Sequence, residues 1–329
     1  MKKRFTIAPV VAPIVALLLG AYGASAHAQL ATVAIAGVVA AGTPIELIKE
    51  GFNGTEGPVA LPDGSFAFTE TPANRITRIT PEGAISTLLE NSNGSNGLAI
   101  NAEGDIYAVQ VADPKVGIVY PPQRARTLAA RYDGAPFGRP NDIVLDRKGG
   151  VYFTDSGVNP PAPGAAPAPQ PAEKPAKPAV YHISNEGALT RLAADIERPN
   201  GIQLSPDEKT LYVANTFGEY VIAYDILGDG KVGPRRNFAK LEGFKKTETG
   251  GTSGADGLAV DADGRVYVAT TVGIQVFSNK GEALGVIALP KAPQNIAFAG
   301  PGKKTLYAVG RGAAYKIATL TQGFTGRAK

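Results

Sequence analysis

Asp261-Ala262-Asp263-Gly264-Arg265-Val266-Tyr267-Val268 decides the fold of this chain, because a polar turn closing on glycine runs directly into β-branched and aromatic residues. The unit recurs. Earlier copies are Leu61-Pro62-Asp63-Gly64 before Phe66-Ala67-Phe68, Asn101-Ala102-Glu103-Gly104 before Ile106-Tyr107, and Asp146-Arg147-Lys148-Gly149 before Val151-Tyr152-Phe153. Ser205-Pro206-Asp207-Glu208 leads into Leu211-Tyr212-Val213, and Gly300-Pro301-Gly302-Lys303 into Leu306-Tyr307. The copies lie about 40 to 60 residues apart with no helical periodicity between them, the spacing of four-stranded propeller blades. The sequence therefore predicts an all-β fold: a six-bladed β-propeller with four-stranded blades and a central metal-binding channel. Pro44 to Lys49 is expected to close the ring as the outer strand of the last blade, beside Ala314 to Ala318, hiding the free edges.

Working outward, the 40 Gly and 26 Pro punctuate short strands along all 329 residues. Lys2, Lys3 and Arg4, an apolar run from Ile7 to Tyr22 and A-x-A sites near Ala28 read as a secretory signal over residues 1–28. Residues 29–329 are then one propeller domain, periplasmic or secreted, monomeric and without a membrane contact once the signal is cleaved. Removing those three cations lowers the net charge from +4 to about +1, which leaves no field for nucleic acid. With no Cys, disulfides and cysteine nucleophiles are excluded. The Pro- and Ala-rich stretch 159–179 is read as a loop inserted within one blade, either plain surface or a lid over the channel mouth.

Eight residues before each turn landmark stand Glu56, Asn96, Asn141, Asn200, Asp256 and Asn295, all with a side-chain oxygen. Equivalent positions on successive blades are related by rotation about the channel axis, so these six should converge on one mouth. Two carboxylates with amide oxygens suit a hard divalent cation: Ca²⁺ first, with Mg²⁺, Mn²⁺ and Zn²⁺ open. Single Asn-Gly or Asp-Gly pairs are ordinary turn chemistry, but a shared register that includes Glu56 is not. Asn96 and Asn295 are the weaker members. Of the two His, His27 lies in the signal and His182 reads as strand packing, so a Ser-His-Asp triad is not expected.

At these residues the chain resembles the gluconolactonase/regucalcin family (SMP-30/SGL). Glu56-Gly57-Pro58, Arg139-Pro140-Asn141-Asp142, Tyr152-Phe153-Thr154-Asp155, Arg198-Pro199-Asn200-Gly201 and Asp256-Gly257-Leu258 carry the resemblance, in order, from about Ile45 to Ile317. It implies a metal held by Glu56, Asn141, Asn200 and Asp256, with Asp256 as general base and Arg139 and Asn141 on the substrate. It also implies a metal-dependent hydrolase of sugar lactones, a carboxylic ester hydrolase. The alternative is a non-enzymatic exported propeller, stiffened by Ca²⁺ and acting as a binding or scaffold module. Departures from the family pattern at Ala60, at Val109-Gln110-Val111 and at Ser156-Gly157-Val158-Asn159 suggest altered pocket walls.

Overall fold

The computed structural model describes Met1 and residues 30–159, 173–228, 230–247 and 250–326. The signal-sequence reading of 1–28 and the centre of the 159–179 insertion fall outside these residues. No helix among the described residues is long and apolar enough to cross a membrane.

Six antiparallel sheets follow one another along the chain. Their inner strands are Glu56–Ala60, Ser95–Ile100, Pro140–Leu145, Pro199–Leu204, Leu258–Val260 and Asn295–Ala299, heading blades I to VI. Each inner strand touches the next, and the first touches the last, so the six enclose a channel. Closure occurs as the sequence predicts: Ile45–Glu50 pairs antiparallel with Ala313–Ala318, with Ile45 opposite Ile317 and Glu50 opposite Ala313. Blade VI thus joins both ends of the fold.

Apolar side chains form six clusters, one between each pair of neighbouring blades. Strand alternation explains this division: on the inner strand of blade III, Ile143 faces blade II and Val144 faces blade IV. The inner and second strands of each blade are buried on both faces, so second strands such as Val151–Asp155 and Val266–Thr270 carry nearly continuous apolar residues, while the outer strands are largely exposed.

The landmark residues connect sequence to geometry. Gly64, Gly104, Gly149 and Gly264 all take φ near +80°, and the two exceptions, Glu208 (φ 58) and Lys303 (φ 49), are forced into the same left-handed region. The turn is fixed by its place in the blade rather than by residue type. In blade III the third strand spans Ala179–Ile183, so the insertion, read from sequence as 159–179, ends before the buried Ala179. Its described C-terminal part returns to the body through the Ala176 amide, which donates to the Pro136 carbonyl at 2.8 Å.

Candidate functional site

The six oxygen-bearing positions do converge, and the glycine after most of them shows how closely. A Cβ on Gly57 would lie 2.0 Å from the Asn96 carbonyl oxygen, and one on Gly201 would lie 2.2 Å from the Asp256 carbonyl oxygen. A Cβ on Gly257 would lie 1.9 Å from Asn295 Oδ1. Only glycine permits neighbouring inner strands to approach so near at the channel mouth.

In blades I, III and IV a threonine hydroxyl on or just after the second strand ties it to the ring segment of the next blade. Thr69 Oγ1 donates to the Asn96 carbonyl at 2.9 Å, Thr154 Oγ1 to the Asn200 carbonyl at 2.5 Å, and Thr216 Oγ1 to the Ala255 carbonyl at 2.7 Å. The ring closes through side chains as well. Gln294 Nε2 donates to Glu56 Oε1 at 3.1 Å and Asn295 Nδ2 to Glu56 Oε2 at 3.4 Å, joining blade VI to blade I.

Beside Glu56, whose two oxygens accept from Gln294 and Asn295, the other five positions divide into two groups. Asn96 Oδ1 accepts from Thr71 Oγ1 at 3.2 Å while Nδ2 donates to the Asn141 carbonyl at 2.9 Å. Asn295 Oδ1 accepts from the Ile296 amide at 2.9 Å. Both amides are spent on the scaffold. Asn141 Oδ1, Asn200 Oδ1 and Asp256 Oδ1, by contrast, are buried with no hydrogen-bond donor. Buried oxygens are seldom left so, because each forfeits its hydration without return.

Electrostatics point the same way. Burial, then repulsion from Asp142, push the Glu56 carboxyl up to about 7, with Asn295 and Arg139 opposing. Asp256 is raised well above the carboxylate range by burial and by Glu56 and Asp142, against Arg311 and Asn200. Three carboxylates therefore crowd one buried mouth. Asp142 is the member that sequence reasoning missed; its signal is a carboxylate where four of the other five blades carry Gly57, Gly97, Gly201 and Gly257. Gln294, the amide that orients Glu56, has no counterpart in the repeat and gives no such signal.

The donor set fits a hard cation: two or more carboxylates, and amide oxygens that no protein group claims. Among the described residues no three His, Cys, Asp or Glu side chains form a metal cluster by themselves, and two of the three open oxygens here belong to amides.

Arg139 stands at the same mouth on a loop held by Asp155, whose oxygens accept from the Gly138 and Arg139 amides, both at 2.7 Å. His182 lies away from the ring, packed at a tilt of 40° against Tyr152 with centroids 4.4 Å apart, its pKa lowered by burial despite Asp146. Ala60 is buried between blades at the landmark end of its strand, so this departure does not shape a wall beside Glu56.

Fold and site together define a six-bladed propeller with a polar, carboxylate-rich channel mouth. The chain belongs to the family described as SMP-30/Gluconolactonase/LRE-like region, which matches residues 54–310. It is 31% identical over 304 residues to a gluconolactonase of Zymomonas mobilis, covering 85% of this chain and 83% of that protein. A gluconolactonase structure from Xanthomonas campestris superposes with a TM-score of 0.75 at 25% identity, covering 88% of this chain and 95% of that one. A calcium-binding regucalcin from Agrobacterium tumefaciens has the same fold, with a TM-score of 0.66 at 19% identity over 85% of this chain and 95% of that one.

Proposed function

We propose that this protein is a divalent-metal-dependent lactonase acting on sugar lactones, exported by residues 1–28 and working as a monomer. The observation that carries the reading is the set of buried oxygens on Asn141, Asn200 and Asp256, with no donor among the described residues, beside the Glu56 carboxyl that burial and Asp142 push up. These four residues would hold the cation, with Ca²⁺ the first choice given the oxygen-only donors and the calcium-binding relative. Asn96 and Asn295 serve as braces, because their oxygens already accept from Thr71 and Ile296.

When bound, the cation supplies Lewis-acid polarisation of the lactone carbonyl. The chain's own residues do the rest. Asp256 takes the proton of the attacking water and returns it to the ring oxygen as the carbon–oxygen bond breaks, so no proton is gained or lost at the enzyme. Burial and the neighbouring Glu56 and Asp142 raise its pKa, which makes it a readier proton acceptor than an ordinary carboxylate. Glu56, clamped by Gln294 and Asn295, balances charge and fixes position. Arg139 and Asn141 orient the lactone oxygens for attack.

The test is proton release from a panel of aldonolactones by chelator-treated protein, before and after Ca²⁺, Mn²⁺ or Zn²⁺ is returned. Turnover restored by one cation is the expected result. Cation binding with no turnover of any lactone would instead favour a binding propeller.

A further inference from the structure

Arg139 and Arg198 open the inner strands of adjacent blades, each immediately before a Pro-Asn pair of the ring. Ser156 ties the two together. Its amide donates to the Arg139 carbonyl at 3.0 Å, its hydroxyl to the Pro199 carbonyl at 2.6 Å, and its carbonyl accepts from Arg198 Nη1 at 3.3 Å. Arg198 Nη2 donates to Asn159 Oδ1, and the guanidinium lies over the Phe217 ring, 5.4 Å from its centroid. Ser156 and Asn159 belong to the segment where the sequence departs from the family pattern, so this clamp is a feature of this chain.

Every acceptor of the Arg198 guanidinium is neutral. The nearby carboxylate, Asp155, is already engaged by the amides of Gly138, Arg139 and Gly157. Among the described residues, no carboxylate lies within ion-pair distance of Arg139, Arg198 or Arg311. With a divalent cation set against Glu56 and Asp256, these three guanidiniums outnumber the remaining Asp142 and Asp155. A half-buried guanidinium, held in place by neutral acceptors and with no ion pair among the described residues, is a site lacking its anion.

We propose that Arg198, with Arg139, receives an oxyanion carried by the substrate away from its lactone carbonyl, making Arg198 a specificity-determining residue. This rests on the lactonase reading above. The preferred substrates are then acidic sugar lactones, bearing a carboxylate or a phosphate, rather than neutral aldonolactones.

The experiment compares kcat/KM of the full chain for glucono-1,5-lactone, a glucarolactone and 6-phosphogluconolactone at low ionic strength, in wild type, Arg198→Gln and Arg198→Lys. Wild type should favour at least one acidic lactone about tenfold or more, and the better of the two identifies the oxyanion. Arg198→Gln should collapse that ratio toward one, mainly through KM, with Arg198→Lys in between. Because the readout is a ratio within one protein, partial loss of folded enzyme does not mimic it. A preference for the neutral lactone, an unchanged ratio in Arg198→Gln, or an effect seen only as inhibition by the product acid would overturn the proposal. Should no lactone be hydrolysed, the lactonase reading fails separately, and calorimetry with glucarate against gluconate still decides. Tighter glucarate binding, lost in Arg198→Gln, supports the anion site, and equal binding contradicts it.

Discussion

The two mouths of the channel are built from opposite ends of the same six strands and from the same residue types, yet their carboxylates behave in opposite ways. At the landmark end, Asp207 Oδ1 accepts from the Ser205 hydroxyl at 2.6 Å and the Lys209 amide at 3.1 Å, and these bonds hold its pKa below the usual range. Asp261 accepts from the Asp263 and Arg265 amides, the Arg265 guanidinium and the Tyr267 hydroxyl. At the ring end, Glu56 and Asp256 are raised and three oxygens lack donors. A turn aspartate completes its hydrogen bonds locally, whereas Asp256 leaves a buried oxygen with no donor among the described residues. Residue identity does not separate the two; backbone satisfaction does.

That contrast breaks if exchanging a carboxylate for its amide has the same consequence at both ends. Asp256→Asn should cost about a thousandfold or more in lactone turnover while the far-ultraviolet dichroism stays that of the native fold, as expected when a group acting in the transition state is removed. Asp261→Asn should leave turnover as it is and lower stability by about 1–3 kcal/mol in urea titration, the worth of charge-assisted hydrogen bonds. Equal loss of activity from both would erase the distinction.

Between these effects stands the close approach at the ring. Gly257→Ala places a methyl 2.7 Å from Asn295 Cα, and should destabilise by about 3 kcal/mol, read as a shifted denaturation midpoint. A glycine at the landmark end, such as Gly104, has no atom within 4 Å of its would-be Cβ, so Gly104→Ala should cost less, through its φ of 81° alone.

The smallest expected effect sharpens the electrostatic side. Glu56 titrates near 7 in the folded chain and lower when unfolded, so the metal-free native state binds more protons between these values. Its stability should therefore fall as pH rises from 5 to 8, by a few kcal/mol at most. Saturating Ca²⁺ should flatten or reverse the trend, measured as the melting temperature with chelator and with cation.

Much of this was legible in the sequence, for a physical reason. The blades repeat, and each repeat is set by local turn chemistry and strand alternation, so the landmark register, the ring closure by Ile45–Glu50 and the convergence of six oxygens follow from counting. Which oxygens remain open was not legible. Asn96 and Asn200 look alike in the chain, and they part company only because Thr71 reaches the oxygen of the first whereas Thr216 accepts from the nitrogen of the second. Asp142 was hidden for a related reason: it lies one residue off the repeat register, in the place glycine usually holds. The clamp on Arg198 comes from Ser156 and Asn159, a segment of irregular backbone where no periodicity guides the eye.

We propose that the open oxygens of Asn141, Asn200 and Asp256 form one cation site on which catalysis depends. Calorimetric titration of Ca²⁺ into the chelator-stripped chain, repeated with Asn200→Ala, tests it most directly. The account predicts one site per chain, restoration of lactone turnover as that site fills, and at least tenfold weaker binding in Asn200→Ala, the variant still folded. Binding that is unchanged in Asn200→Ala, or turnover indifferent to the chelator, would contradict it.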